Sequence, residues 1–237
     1  MLEIFEERPC LISCLVGSVN QGLATPESDL DYKFFVLPTV KDLYKGPFFS
    51  ATGKTSTFDY AVYDIRKLPE MLWKSNPTTL EILFSKKTFY FEEFDYLFKN
   101  RELLSQMNLF NFKNSTMGMF YQLDKKLKSR NARGEEFSGK TAAQALKSLT
   151  TLIKYMHGES MERSLLYLED DIHKYILMEY KTGKRTFNDY VELSSDILKI
   201  WQNNMENFYN YCPPVYPSYT AVNELVLSVV KKYLFIK

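Results

Sequence analysis

The sequence predicts an α+β protein, with an N-terminal α/β domain over residues 1–92 and a helical domain over residues 93–237. Three observations carry this expectation. The first hundred residues alternate short apolar runs with turn residues, the form of strands broken by loops. From about residue 93 the apolar residues instead recur three and four apart, and strand punctuation nearly disappears. The composition, 45% hydrophobic and 25% charged, is that of a globular protein and excludes wholesale disorder.

Taken in order, LISCLVG is a short apolar run ending in Gly17, as a buried strand does. SVNQGLATPESD follows as a polar loop punctuated by Gly22 and Pro26. DLDYKFFVLP resumes a strand, and TSTFDYAVYDI, rich in β-branched and aromatic residues, is a third. RKLPEMLWKS has helical spacing, and Asn76-Pro77 stops it and starts the short helix PTTLEILFS. KKTFYF is a further strand candidate. Helices are then expected in RELLSQMNLF, MGMFYQLDKKLKSR, TAAQALKSLTTLIKYM and NELVLSVVKKYLF.

The sharpest chemical signal is GSVNQGLATPESDLD, residues 17 to 31. Side chains alternate faces along a strand, so Asp29 and Asp31 project from the same side. Carboxylates about 7 Å apart on one strand can bracket two divalent cations about 3.5–4 Å apart. Mg²⁺ suits such a place, because it takes a few carboxylates and fills its remaining positions with water and phosphate oxygens. Gly17 lets the backbone approach a phosphate with no Cβ in the way, and Ser18 adds a hydroxyl and an N–H.

Gly-Ser, a spacer of roughly ten residues and an acid-apolar-acid triplet together resemble the signature of DNA polymerase β superfamily nucleotidyltransferases. The wider segment GLATPESDLDYKFFVLPT looks like the predicted nucleotidyltransferases of bacteria and their phages. NPTTLEILF resembles their Asn-Pro-x-x-x-Glu block and points at Glu81, and SGKTAAQALKSL resembles a helical segment in which Lys140 is the matched position. YPSYTAVNELVLSVV is similar to the closing helix. The chain departs from the pattern at Gln144 and Lys147, where the family often has His and Arg. The resemblance implies a nucleotidyltransferase-type mixed β-sheet with flanking helices. It also implies a third carboxylate on a neighbouring strand, which Asp59 in Phe58-Asp59-Tyr60 supplies; the competitor, Asp64, looks like a helix cap.

The implied activity is transfer of a nucleoside monophosphate from an NTP such as ATP to an acceptor hydroxyl, with two Mg²⁺ ions, or Mn²⁺ in their place. Asp29 and Asp31 would bind both metals, Asp59 the one beside the attacking hydroxyl, and Gly17, Ser18 and Lys140 the nucleotide. The acceptor stays open among an RNA end, a protein and a small molecule, and the rival from another class is a catalytically idle nucleotide-binding protein.

Other signals are weaker. GEEFSGKT, residues 134 to 141, satisfies G-x-x-x-x-G-K-[ST], but a basic polar stretch and not a buried strand precedes it. Ser138 there suits a helix cap. KKLKSRNAR reads either as a steering patch for phosphates or as a solvated helix end. His157 and His173 are isolated and expected to be structural. Thirty basic against twenty-nine acidic residues give no global pull toward nucleic acid. Cys10, Cys14 and Cys212 are expected to be thiols, the opening residues lack the apolar run of a signal peptide, and no membrane span is expected. Those features together predict a cytoplasmic protein.

Overall fold

In the computed structural model, residues 3–211 and 219–235 are described. They divide into two compact units, Met1–Asn108 with Val215–Lys237, and Leu109–Pro214. Cys212 and the first residues of the segment beginning at Tyr216 lie outside the described residues.

The first unit is built on a five-stranded mixed sheet of order β3-β4-β2-β1-β5. Its strands are β1 (Cys10–Val16), β2 (Leu30–Val36), β3 (Ser50–Lys54), β4 (Phe58–Asp64) and β5 (Thr88–Tyr90). Four match the apolar and aromatic runs of the sequence. The fifth, β3, was not anticipated, because Ser-Ala-Thr-Gly-Lys is short and polar. As the edge strand it alternates exposed and half-buried residues, so it needs no apolar run. β2 pairs parallel with β4, while β1 pairs antiparallel with both β2 and β5, and β3 antiparallel with β4.

Both faces of the sheet are covered toward the ends of β2 and β4, where Phe35, Val36, Val62 and Asp64 are buried. On one face the rings of Tyr32, Phe34, Phe58 and Tyr60 pack edge-on and stacked across the strands. The C-terminal helix Tyr219–Phe235 returns to this unit, although the expected division placed it with the helical domain. It buries Val222, Val226, Val229 and Val230, an i, i+4, i+7, i+8 stripe, against the Leu68–Trp73 helix and its approach. Trp73 meets Tyr219 edge to face at 5.8 Å, and Lys232 and Tyr233 both bond Glu93.

A short helix, Val40–Lys45, follows β2 and was also missed from sequence. Thr39 and Asp42 cap it reciprocally, and Asp42 takes two hydrogen bonds from the Arg8 guanidinium, at 2.9 and 3.0 Å. Arg8 in turn lies 4.3 Å over the Phe49 ring. The Arg8 bonds, reinforced by Thr39, hold the Asp42 carboxyl far below its ordinary range.

The second unit is helical. Its centre is Gly139–Met156, buried on almost every side and packed by Leu109–Ala132, Met161–Leu165, Ile172–Lys181 and Phe187–Asn204. Ser138 caps it as expected, accepting from the Thr141 N–H at 3.3 Å. Gly139 is required by contact: a Cβ there would sit 2.0 Å from the Tyr180 carbonyl oxygen. Several polar groups inside are paired. Thr150 bonds the Tyr167 hydroxyl at 2.9 Å, Lys154 bonds Asp171 at 2.5 Å, and the buried Tyr190 donates to Asp124 at 2.9 Å. No helix among the described residues is long and apolar enough to cross a membrane.

A pH dependence follows for the Arg8–Asp42 pair. A carboxyl with a depressed folded-state pKa contributes its stability above the unfolded value, about 3.9, and loses it as pH falls toward the folded value. Thermal melts between pH 7 and pH 3 should therefore show a smaller acid loss in Asp42→Asn than in the wild type, with the variant already less stable at neutral pH.

Candidate nucleotidyl-transfer site

The candidate site lies where β1, β2 and β4 meet their loops. β1 ends at Val16, which pairs with Asp31, and the chain then turns at once into a helical turn, Gly17–Asn20, where sequence predicted open loop. Gly17 adopts φ +76°, and the space its Cβ would take is filled by Asp31, whose Oδ2 would be 2.3 Å away. Glycine is thus needed both for the turn and for the approach of the carboxylate.

In the parallel β2–β4 ladder Asp31 stands directly opposite Asp59, so both side chains leave the same face of the sheet. Asp29 precedes β2 by one residue and keeps the parity of Asp31. Lys54, opposite Asp59 on the edge strand β3, brings its Nζ to 3.2 Å from Asp59 Oδ1 and 3.5 Å from Asp29 Oδ1. Contact with Asp59, and next the charge of Asp29, raises the Lys54 pKa and keeps it cationic. Asp59 Oδ1 is nonetheless buried and accepts no hydrogen bond; the ammonium lies off its bonding direction.

Behind the carboxylates, Glu81 holds the Gly17–Asn20 turn in place. It is buried, as is Asn20. Its two oxygens accept from Asn20 Nδ2 at 3.0 Å and Gln21 Nε2 at 2.7 Å, and Asn20 Oδ1 accepts from the Lys86 N–H at 2.8 Å. Lys33, on the face of β2 that carries Asp31, donates to the Thr78 carbonyl and lies in the field of Glu81. Burial pulls its pKa below the lysine range, and Glu81 opposes that. The Asn-Pro-x-x-x-Glu block therefore acts through structure: Asn76 caps the Pro77–Leu80 turn, and Glu81 at its end anchors the glycine turn.

Residues 2–197 match the model of the RlaP family, described as the RNA repair pathway DNA polymerase beta family. That span is most of the chain. The protein belongs to the RNA repair pathway DNA polymerase beta family. The resemblance read from residues 17–31 and 76–84 is the one found, and membership in this polymerase β family suggests a nucleotidyltransferase. No curated protein matches the chain.

For a member of this RNA repair pathway family the question is whether these carboxylates fit a divalent cation. Among the described residues no three His, Cys, Asp or Glu side chains close on one point as a ready cage. What is present is open: Asp31 beside Asp59, Asp29 two residues before Asp31, and a lysine cation between Asp29 and Asp59. The Asp59 oxygen that faces this lysine is buried and makes an ion pair with it in place of a hydrogen bond. That arrangement fits Mg²⁺, which relies on few carboxylates and completes its shell from water and phosphates.

Other expected residues fall elsewhere in this family member. Asp64 ends β4 buried, accepts from the Arg66 N–H at 2.9 Å and forms an ion pair with the Arg66 guanidinium at 2.6 Å, a capping role. Lys140 lies in the second unit, exposed on the first turn of Gly139–Met156; burial, and after it the charge of Lys140, lowers the pKa of Lys181. A helix, Leu109–Ala132, precedes GEEFSGKT, so the strand a P-loop requires is not there. In the basic stretch, Lys128 pairs with Asp124, and Arg130 and Arg133 with Glu135, while Lys125 and Lys126 are exposed. His157 caps a helix end, and His173 bonds Asp171. Cys10 and Cys14 are free thiols whose pKa values burial pushes up to about 11 and about 12. Sequence reasoning missed Lys54, Asn20 and Gln21. The polar edge strand that carries Lys54 has no apolar run to mark it, and no local signal existed for the Asn20–Glu81 bond, 61 residues apart.

Two substitutions probe this scaffold. Gly17→Ala should cost about 1–2 kcal/mol in chemical denaturation, because a left-handed backbone angle penalises Cβ, and it must also displace Asp31. Glu81→Ala leaves the Asn20 and Gln21 amides without their buried acceptor and should cost on the order of 1–3 kcal/mol. Glu81→Gln, which keeps one acceptor oxygen, should lose less; equal losses would count against the anchoring role.

Proposed function

We propose that the protein is a metal-dependent nucleotidyltransferase that moves a nucleoside monophosphate from an NTP to the hydroxyl of an RNA end. The observation that carries this reading is the in-register pairing of Asp31 with Asp59 beside Gly17, with Asp29 on the same face. The RNA acceptor rests on the family's description as an RNA repair pathway.

Asp29, Asp31 and Asp59 would hold Mg²⁺. When bound, the metal neutralises triphosphate charge and lowers the pKa of the acceptor hydroxyl. Asp59 would also assist as the base that takes the acceptor proton. The space beside Gly17 is taken by the Asp31 carboxylate and not by a phosphate, so the triphosphate contact from this turn would come from the Ser18 hydroxyl. Glu81 keeps that turn fixed, so the phosphate contacts need no rearrangement on binding.

The rival reading, an idle nucleotide-binding protein, is favoured by one observation: the Lys54 ammonium already sits against Asp29 and Asp59. Turnover separates the two. With α-labelled NTPs, Mg²⁺ and RNA fragments bearing 3′-hydroxyl ends, label should move to RNA. Asp31→Asn should lower the rate by at least about a hundredfold, since even groups that only support metal ligands act on that scale, with the melting curve little changed. Undiminished transfer by Asp31→Asn would falsify the metal assignment, and label on protein in place of RNA would remove the RNA acceptor.

A further inference from the structure

We propose that Lys54 is the resident counter-cation of the carboxylate site, holding Asp29 and Asp59 in place until a metal ion displaces it and thereby setting the metal concentration at which the site loads. The inference rests on the metal-carboxylate reading above and adds to it a built-in competitor.

Three observations support it. Lys54 makes two ion pairs, to Asp59 at 3.2 Å and Asp29 at 3.5 Å, and thus bridges residues from two different loop-and-strand segments. Its position is set by register: Lys54 stands opposite Asp59 in the β3–β4 ladder, directly before the turn that Thr55 closes by bonding Phe58. A lysine side chain that is 62% exposed can swing into solvent on its four-carbon stem. With a divalent ion held by Asp29, Asp31 and Asp59, the ammonium would be repelled and its ion pair with Asp59 replaced by direct coordination.

The balance is one of charge. Without metal, Lys54 offsets part of the repulsion among Asp29, Asp31 and Asp59. With metal, that work passes to the ion, and the ammonium is released toward the open side of the sheet edge, where an incoming phosphate is the natural new partner. Exposed ion pairs are weak, so the competition is modest and reversible.

Mn²⁺ binding, followed by the loss of the free-ion electron paramagnetic resonance signal, tests this on the intact protein without any assay of turnover. Lys54→Met keeps the stem and removes the charge; it should bind Mn²⁺ roughly threefold to fivefold more tightly, the scale of an exposed ion pair. Lys54→Arg restores the charge and should return the affinity toward the wild type. In EDTA the Met variant should also melt below the wild type, and saturating Mg²⁺ should close that gap. Equal Mn²⁺ affinity in the wild type and Lys54→Met, with binding lost in Asp31→Asn, overturns the role of Lys54 and leaves the metal reading standing. Absence of binding in the wild type, Lys54→Met and Asp31→Asn alike overturns both.

Discussion

The candidate site depends on the parallel register between β2 and β4. Because side chains alternate with a period of two, a slip of one residue would turn Asp59 to the aromatic face and leave Asp31 opposite a ring. The register is held from both sides of the sheet. On the aromatic face Tyr32, Phe34, Phe58 and Tyr60 interlock across the two strands. At the far end Val36, Val62 and Asp64 are buried, and Asp64 is tied down by Arg66. The carboxylates therefore stand at the N-terminal ends of two strands whose other ends are buried.

Gathering acids in one place costs electrostatic repulsion, and the fold answers it with two lysines of different kinds. Lys33 is half-buried, bonded to the Thr78 carbonyl, and balances the buried Glu81. It belongs to the scaffold. Lys54 is exposed, pairs with Asp29 and Asp59 among the described residues, and sits on an edge strand. The same charge thus serves support in one position and exchange in the other, and burial makes the difference.

Glu81 shows how a sequence block far from the signature bears on it. Its carboxylate takes no part in the open row of acids. It fixes Asn20 and Gln21, and through them the turn in which Gly17 yields its Cβ space to Asp31. Loss of this buried acceptor would leave two amide donors unsatisfied, a cost larger than the bonds themselves contribute.

Much of this was legible in the residues alone. The α+β class, four of five strands, the long helices and the shared face of Asp29 and Asp31 follow from apolar periodicity and from strand alternation, which are local properties, while Asp59 was pointed to by the family resemblance. The caps at Asp64 and Ser138 follow from side chains that bond backbone within a few residues. What stayed hidden was either polar or non-local. β3 carries no apolar run because an edge strand has one side in solvent, and so Lys54 went unseen. The C-terminal valine helix announced its buried stripe but not its partner, and only the fold brought it back to the sheet-bearing unit. The pairing of Asp31 with Asp59 needed the parallel register, and the Asn20–Glu81 bond needed 61 residues of chain to close. Sequence determined which side chains face together along one element; tertiary structure decided which elements meet, because that choice is made by packing between segments that no local pattern records.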